Sequence, residues 1–543
     1  MGHIDDIFSI IYLGVAAGVY FKPEYAMCGS RVAAIAILSI IIILSKLVYQ
    51  LFLYPRFFTP LKCFPTPSNR HWLTGNTKSL LVDTPHAEMK VWARDIPNEG
   101  IIRYYIAGNL ERITVTSPKV LSEILVSKAY DFAKPLVIQQ GLGRLLGNGI
   151  LLAEGDEHKF QRKNLMPAFA YRHIKNLYPV FWSKSIEMVR LIRKELKGRK
   201  PTEDNTIEVR NWAGRSSLDI IGLAGIGRDF DSLRDPENSL SRSYEMVFTA
   251  PDVTTKALFM LGMLLGDTKW LAKLPTRRNK TIDTGRSNIR NAARQMIEEH
   301  KAKMKDPDVE IGVDIISVAM QSGNFDDENL VDQLMTFLGA GHETTAAALQ
   351  WAIYSLCKHP EVQTRLREEV RANLPPINVG NPGPIDATAV DNLQYLNAVC
   401  NEVIRFCPSI PNTVRVALKD TTLMGNPIPK NTQIVISPEL INHMPEFWGP
   451  DAGQFNPDRF MGPGNANKGG ATSNYAFLSF LHGPRSCIGQ GFAKSELACL
   501  LAAVVGSFEF ELKYPDAKLE VREQATISPR DGVLAKFTPL EGW

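Results

Sequence analysis

The most constraining feature of this sequence is a glycine-rich loop that carries a cysteine and runs directly into an apolar helical segment, in FLSFLHGPRSCIGQGFAKSELACLLAAVV. The start of that helix favours the thiolate form of Cys487, because its backbone N–H groups are electropositive. Gly483 and Gly489 let the backbone approach a flat ligand closely, and Arg485 offers a forked donor suited to a carboxylate. The loop therefore predicts an activated thiol beside a ligand or metal.

The other cysteines show no such context. They form no CxxC pair and no framework spacing, so neither a zinc cage nor an extracellular disulfide scaffold is indicated. We interpret them as ordinary, mostly buried thiols: Cys28, Cys63, Cys357, Cys400, Cys407 and Cys499. Lys and Arg total 61 against 57 for Asp and Glu, a net charge of +4. Spread over 543 residues, that charge gives no indication of nucleic-acid binding.

The loop also carries a family resemblance. Phe480, Gly483, Arg485, Cys487 and Gly489 in FLHGPRSCIG match the haem-binding signature of the cytochrome P-450 superfamily, and the chain most resembles its fungal members. The resemblance implies that haem b is the cofactor and that Cys487 is the axial thiolate ligand of its iron. It also implies that the other four residues contact the haem.

A second motif lies on a predicted helix. Glu402 and Arg405 in NEVIRF are three residues apart and share one helix face. Alone, such a pair is a weak signal, because exposed ion pairs of this spacing are common. FNPDRF follows downstream, and the resemblance implies that its Arg459 joins the pair in a buried structural network that supports the haem-binding loop.

A third motif, AGHETT, lies in the middle of the longest predicted helix. Gly341 is unfavourable in a helix interior and Thr344 can bond to a carbonyl one turn earlier, so together they predict a local bulge. By resemblance, Glu343 and Thr344 are the catalytic acid and alcohol that handle protons during oxygen chemistry. The alternative is an exposed acid and a structural threonine.

Three further residues match family contacts to the haem propionates. His158 in GDEHKFQRKNLMPAF stands where the family commonly has tryptophan, which is a departure from the pattern. Arg162 follows one helical turn later, and Arg415 lies shortly after RFCPSIPNTV. The resemblance implies that all three contact the propionates. The alternative is that each is a surface charge.

The N-terminus predicts a membrane anchor. Val32 to Leu53 is an apolar run of about 22 residues that would span roughly 30 Å as a helix. Lys46 lies near its C-terminal end, where it can reach the interface, and Arg56 and Lys62 follow, which favours a cytosolic location for the rest. Ile7 to Phe21 is a shorter apolar run, either a second span or an interfacial helix. The alternative is that both runs are buried helices of a soluble core.

These patterns predict three parts: an anchor over 1–54, a linker over 55–76 and one large domain over 77–543. In the linker, Pro55, Pro60, Pro65 and Pro67 stiffen the chain and are expected to end the preceding helix. The periodicity of the large domain is mostly helical, with a few hairpin-like stretches, so the fold class is mainly α with a minor β-sheet region. This is the cytochrome P-450 fold that the resemblance implies.

The resemblance implies a function as well. The chain would be a monooxygenase of the endoplasmic reticulum membrane, with its haem domain facing the cytosol. It would insert one atom of O₂ into its substrate by hydroxylation or epoxidation. GLGRLLG and GLAGIG lack the spacing and context of a dinucleotide loop, so electrons would have to come from another protein. The resemblance and the N-terminal anchor imply that this donor is NADPH-cytochrome reductase, with NADPH as the electron source.

The substrate is less constrained. VFTAPDVTTKALFMLGMLLG and PSIPNTV, which by analogy line the pocket, are poor in charge and favour a lipophilic molecule. A terpenoid, polyketide or other secondary-metabolite intermediate is favoured, and a fatty acid or xenobiotic is the alternative. A haem-thiolate isomerase or dehydratase, and a non-catalytic haem sensor, are disfavoured because neither needs Glu343 and Thr344.

Overall fold

The computed structural model describes residues 30–77, 85–200, 204–248, 268–304, 314–377, 385–523 and 526–543, and isolated positions within 10–18 and 254–262. Its α-helices are α1 (Arg31–Val48), α2 (Pro85–Asp95), α3 (Pro118–Ser122), α4 (Leu136–Leu146), α5 (Gly155–Leu165), α6 (Tyr171–Ile174), α7 (Tyr178–Gly198), α8 (Val209–Ile226), α9 (Ser239–Phe248), α10 (Lys269–Ala272), α11 (Arg277–Met304), α12 (Ile315–Gln321), α13 (Asp327–Lys358), α14 (Pro360–Asn373), α15 (Ala387–Asp391), α16 (Gln394–Phe406), α17 (Pro438–Ile441), α18 (Pro445–Trp448) and α19 (Gln490–Ser507).

The strands are short. They are β1 (Ile101–Ile106), β2 (Leu110–Val115), β3 (Phe132–Ala133), β4 (Thr206–Glu208), β5 (Thr413–Ala417), β6 (Thr421–Leu423), β7 (Asn426–Ile428), β8 (Gln433–Ile436), β9 (Phe508–Leu512), β10 (Val521–Glu523), β11 (Ile527–Pro529) and β12 (Leu534–Pro539). The predicted fold class, mainly α with a minor β component, is confirmed.

The chain divides into two compact units. The first comprises Met1–Thr114 and Lys419–Gln433, and the second comprises Val115–Leu418 and Ile434–Trp543. The first unit contains α1, α2, the neighbouring strands β1 and β2, and the antiparallel pair β6 and β7. All residues that the sequence singled out for the site lie in the second unit.

The N-terminal helix of the first unit does not end at Pro55. A π-helical segment, Tyr49–Phe58, follows α1 directly and includes Pro55. The N–H of Thr59 bonds to the carbonyl of Tyr54 at 3.0 Å, a spacing of five residues that belongs to the wider π geometry. That widening accommodates the proline ring, which would clash in a regular α-helix. The prediction that Pro55 stops the helix is therefore wrong.

One helix in the described part of the chain, Val32–Phe58, is long and apolar enough to cross a membrane. Almost none of its most apolar stretch is buried by the rest of the protein. The earlier apolar run, Ile7 to Phe21, lies largely outside the described residues, and so does most of VFTAPDVTTKALFMLGMLLG.

The second unit is organised around α13, which has 32 residues. The side chain of Asp326 caps its N-terminus by accepting the N–H of Asn329 at 2.7 Å, and Lys358 complements the dipole in its last turn. This helix packs against α8, α11 and α19. It is an uninterrupted α-helix, so the predicted bulge at Gly341 and Thr344 is wrong.

Gly341 has a packing role instead. A Cβ at this position would lie 3.0 Å from two side-chain carbons of Ile221 on α8, tighter than an ordinary contact. The glycine therefore lets α8 and α13 approach each other closely.

The helix that follows the cysteine loop, α19, is buried along most of its length. It packs against α7, α13, α14 and α16, which explains why its sequence from Leu497 onward is almost entirely apolar. Because α19 begins at Gln490, the loop before it is fixed to the centre of the second unit. The second unit also contains two small antiparallel sheets, with the strand orders β4–β12–β9 and β10–β11. In addition, β3 pairs with β5.

Candidate active site

The loop around Cys487 has a tightly determined backbone. The Cys487 N–H bonds to the Phe480 carbonyl at 2.8 Å, and the Ser486 N–H bonds to the Gly483 carbonyl at 3.0 Å. Gly483 has φ +77°, and a Cβ there would lie 2.0 Å from the carbonyl oxygen of Leu125. Only glycine therefore fits this turn. Phe480 is half-buried and packs against the apolar core.

The thiol of Cys487 lies deep in the second unit, and burial raises its pKa. The backbone N–H of Gly489 and the charge of Arg162 act against that rise, because both favour the thiolate. The Cys487 side chain is nevertheless solvent-accessible. A thiol surrounded by protein and still accessible faces an internal cleft rather than a packed core.

A cluster of basic side chains surrounds a single carboxylate beside this loop. Burial and the charges of Arg485 and other members of the cluster lower the pKa values of Lys134, His158 and Arg415, and Glu154 is the carboxylate among them. Arg415 and His158 are each less than a twentieth exposed. This charge is therefore not dispersed by water, and the cluster is electrostatically suited to an anionic ligand.

Glu154 and Arg485 form the centre of this cluster. One oxygen of Glu154 accepts the Lys134 backbone N–H at 2.9 Å, and the other accepts an Nη of Arg485. Arg485 also donates from Nη1 to the carbonyl of Phe132 at 2.6 Å. Its buried Nε–H has no hydrogen-bond partner among the described residues. An unsatisfied buried guanidinium donor is a fitting partner for a ligand carboxylate.

Burial and mutual repulsion shift the pKa values of the cluster. Burial and the neighbouring Arg485 lower the pKa of His158 to about 4, so its ring is neutral at physiological pH. Its Nδ1 lies 3.1 Å from the hydroxyl of Tyr130. Burial and the neighbouring Arg415 lower the pKa of Lys134 to about 8, and burial lowers that of Arg415 to about 10. An anion bound here would raise all three pKa values.

Arg162 is engaged with the cysteine loop itself. Its Nη1 donates to the carbonyl of Ser486 at 2.5 Å and its Nη2 to the Ser486 hydroxyl at 3.3 Å. The sequence suggested a contact to a haem carboxylate for Arg162, whereas the structure uses two of its donors to hold the residue before Cys487.

Glu402 and Arg405 form a fully buried ion pair on α16. Two nitrogens of Arg405, Nε and Nη2, each donate to one carboxylate oxygen of Glu402 at 2.7 Å. The remaining donors of Arg405 reach the carbonyls of Asn442, Ala452 and Gln454 at 2.7 to 2.9 Å. All five guanidinium hydrogens are therefore used.

Arg459 joins this pair, as the resemblance implies. Its Nε lies 3.2 Å from an oxygen of Glu402, and its Nη2 lies 2.9 Å from Asp451. The side chain of Asn442 continues the network toward the cysteine loop, because it bonds the Leu478 N–H at 2.9 Å and the Ser479 hydroxyl at 2.8 Å. The ion pair is thus linked by hydrogen bonds to the residues that precede the loop.

Glu343 and Thr344 lie in the middle of α13. The hydroxyl of Thr344 donates to the carbonyl of Ala340 at 2.7 Å, one turn earlier, and its own carbonyl accepts the Ser409 hydroxyl at 2.9 Å. Burial raises the pKa of Glu343, and Arg522 and Thr526 partly offset the rise. Glu343 therefore retains its proton to a higher pH than an exposed glutamate.

Sequence reasoning missed several of these residues. Lys134 and Glu154 enter the site because β3 and the turn before α5 meet beside Arg485, a juxtaposition that no sequence spacing shows. Asn442 gave no signal either, because an isolated asparagine is ordinary.

Glu496 is a further buried group that the sequence did not indicate. It lies on α19 and is fully buried, and burial raises its pKa to about 8. The hydroxyls of Thr345 and Ser217 face the carboxyl and partly offset the rise, but neither reaches it at hydrogen-bonding geometry. Glu496 is therefore largely protonated at neutral pH and lies against the residue that follows Thr344.

This environment predicts a pH-dependent stability. The pKa of Glu496 in the folded protein exceeds the ordinary value of 4.5. The contribution of its proton to the free energy of unfolding is therefore fully present below about pH 4.5 and is lost as pH rises through about 8. Glu496→Gln should remove a penalty to the free energy of unfolding of about 4 kcal/mol near pH 8 and less than about 1 kcal/mol near pH 5. We expect the variant's thermal midpoint to exceed that of the unaltered protein by several degrees near pH 8. Glu509→Gln on exposed β9 is the control, and an equal change at both pH values would contradict the assignment.

The fold and the site together define a mainly helical protein in which the thiol of an internal loop is accessible and lies beside a cluster of basic side chains. Comparison with known proteins identifies the family. The family description "Cytochrome P450" matches residues 65–535. The chain is 75% identical to "Cytochrome P450 monooxygenase sphH" of Aspergillus fumigatus over 100% of both chains. It is 41% identical to "Cytochrome P450 monooxygenase FUM15" of Gibberella moniliformis over 92% of each, and 39% identical to "Cytochrome P450 monooxygenase FSL4" of Gibberella zeae over 91% of each.

The chain belongs to the cytochrome P450 family and is a haem-dependent monooxygenase. Its cofactor is haem b with a cysteine thiolate ligand, and it acts on O₂ and a substrate with electrons from a reductase partner. The sequence-based prediction of the family is confirmed, and the relatives named above are fungal proteins.

Proposed function

We propose that Cys487 is the haem ligand of a monooxygenase that hydroxylates or epoxidises a lipophilic small molecule, with a secondary-metabolite intermediate as the favoured substrate. One observation carries the proposal: the accessible thiol of Cys487 lies in a loop that Arg162 holds in place, beside a cluster in which buried cations outnumber carboxylates. Haem combines a thiolate-binding metal with two carboxylates, so it satisfies both features at once.

Cys487 and the basic cluster would bind different parts of the haem. Cys487 would bind the iron, and the Gly489 N–H and Arg162 stabilise the charge on its sulfur. Arg485, Arg415, His158 and Lys134 would bind the carboxylates. When bound, the haem supplies the oxygen chemistry by which one atom of O₂ enters a substrate.

The α13 residues would move protons. The Thr344 hydroxyl donates to the Ala340 carbonyl and can rotate to offer the same hydrogen to another acceptor. Glu343 holds its proton to a higher pH than an exposed glutamate does, because burial raises its pKa. The carboxyl of Glu343 would supply a proton from Oε, and the hydroxyl of Thr344 would donate a hydrogen bond from Oγ1.

The preference for a lipophilic substrate is supported by the segment beside Thr344. The Ser409 hydroxyl bonds to the Thr344 carbonyl, and Ile410 and Pro411 are the next residues along the chain. These side chains carry no charge, so this part of the pocket would contact apolar groups.

We place the protein at the endoplasmic reticulum membrane, anchored by the helix Val32–Phe58, with its haem domain in the cytosol. The exposed apolar surface of that helix supports an anchor, and Arg56 and Lys62 at its end support the orientation. Electrons would come from NADPH-cytochrome reductase.

Thr344→Ala tests the proton-handling role. We expect this variant to bind haem and substrate and to consume NADPH, but to convert most of the electrons to hydrogen peroxide instead of product. The ratio of product to NADPH consumed should fall severalfold, and Thr344→Ser, which keeps the hydroxyl, should retain most of it.

A purely structural threonine gives a different result. Loss of its bond to the Ala340 carbonyl would change stability by about 1 kcal/mol and leave the ratio intact. An unchanged ratio in Thr344→Ala with normal haem content would therefore remove Thr344 from the catalytic residues.

A further inference from the structure

The first unit contains a basic pocket at the C-terminal end of the helix Val32–Phe58. The pocket has a volume of about 300 Å³, and its walls include Arg56, Arg70, Arg103, Thr66 and Ser68. Three guanidinium groups and two hydroxyls are all hydrogen-bond donors, which is the donor set of a phosphate-binding site.

The charge in this pocket is not balanced. Arg103 pairs with Glu111 at 3.3 Å, and both side chains are only 11% exposed. Burial raises the pKa of Glu111, and this one carboxylate is shared between Arg103 and Arg70, whose charges partly offset the rise. Within the described ranges, Arg56 and Arg70 form no ion pair with a carboxylate, and Arg70 has only a longer-range attraction to Glu111. The pocket therefore carries an excess of about two positive charges, which favours an anion.

Two of the three arginines, Arg70 and Arg103, are also held in position. The ring of Tyr105 lies under Arg70 at 4.5 Å and near Arg103 at 5.2 Å. Arg103 donates from Nε to the Thr66 hydroxyl at 3.0 Å and from Nη1 to Glu111 at 3.3 Å. The Tyr105 hydroxyl bonds to the Pro55 carbonyl at 3.2 Å, which fixes the end of the helix to β1. Donors held in this way lose little entropy when they bind a ligand.

Exposed aromatic residues define the environment of the pocket. Phe57, Phe58 and Trp72 are 56%, 60% and 66% exposed, and Trp72 stacks on Phe52 at 6.1 Å. Large exposed aromatic side chains at the end of a membrane-spanning helix are typical of the level of the lipid headgroups. Arg56 and Arg70 are sequence neighbours of these aromatic residues, so insertion of the helix Val32–Phe58 in a membrane would place the pocket at the level of the lipid phosphates.

We propose that the pocket formed by Arg56, Arg70 and Arg103 binds the phosphate-bearing headgroup of an anionic phospholipid. The inference rests on the membrane anchor proposed above. A headgroup with a net negative charge suits the excess positive charge of the pocket, whereas the headgroup of a zwitterionic lipid such as phosphatidylcholine has no net charge.

Native mass spectrometry of the full-length haem-loaded protein in detergent tests this proposal. The probes are phosphatidylserine and phosphatidylcholine, each added in turn, and inorganic phosphate added as a competitor. We expect retention of one phosphatidylserine with at least tenfold preference over phosphatidylcholine. The double variant Arg56→Gln/Arg70→Gln should lose that preference, with unchanged haem content.

Arg94→Gln is the matched control, because it removes an exposed arginine of the same unit that pairs with Asp95 instead of lining the pocket. Its lipid preference should remain. An unchanged preference in the double variant would overturn the proposal, as would displacement of the lipid by an equal concentration of inorganic phosphate. The proposal would also fail if the double variant kept its preference but lost turnover with the reductase, since the pocket would then serve an acidic protein.

Pelleting with membranes separates the two proposals. A double variant that pellets normally but has lost lipid preference supports the pocket and the anchor together. Failure of the unaltered full-length protein to pellet would refute the anchor, and the pocket proposal with it.

Discussion

Glu402→Ala or Arg405→Ala should prevent the accumulation of haem-loaded protein. Removing one partner leaves the other charge fully buried, which typically costs about 3 to 5 kcal/mol. Arg405→Ala also strips three backbone carbonyls of their donor, at about 1 kcal/mol or more each. The sum is comparable to the whole stability of a typical domain, about 5 to 15 kcal/mol.

The measurement is the haem content per polypeptide in purified protein, together with the soluble yield. Asp156→Ala provides a matched control, because Asp156 and Lys159 form an exposed pair with the same kind of spacing on α5. That variant should behave normally. Arg405→Lys should fail as Arg405→Ala does, since lysine cannot reach five acceptors at once. Normal haem content in Glu402→Ala would contradict the network.

Cys487→Ala is expected to abolish the carbon monoxide difference band that marks thiolate ligation. The accessible side chain of Cys487 contributes little to the packed core, so the variant should keep its helical circular dichroism. Loss of the band with retained fold therefore separates a missing ligand from a misfolded protein.

Two other cysteines serve as controls for this result. Cys63 is exposed and Cys499 is buried in α19, where burial raises its pKa well above the usual value. Cys63→Ser and Cys499→Ala should both retain the band. A band that survives Cys487→Ala and disappears in Cys499→Ala would show that the ligand assignment is wrong.

The features that could be predicted from the sequence are those set by local chemistry. Gly483 is required by a single backbone turn, and its need is visible in the loop sequence itself. Glu402 and Arg405 lie within one helical turn, so their contact follows from helix geometry alone. The apolar composition of α19 indicates burial on all sides, which the structure shows.

The features that could not be predicted depend on long-range packing. Lys134 approaches Arg485 only through tertiary structure, and its pKa responds to neighbours far away in the chain. The continuation of the N-terminal helix past Pro55 depends on a widened π geometry that ends near β1. The regular course of α13 depends on Ile221 of another helix, which Gly341 accommodates without a bulge.

The most direct test of the central claim follows oxygen from O₂ into product. A host that expresses this chain with NADPH-cytochrome reductase is supplied with candidate lipophiles under ¹⁸O₂, and new products are measured by mass spectrometry. The account predicts a product that carries one ¹⁸O atom, depends on NADPH and is absent with Cys487→Ala. A product that forms without NADPH and carries no ¹⁸O would contradict the account and indicate an isomerase or dehydratase.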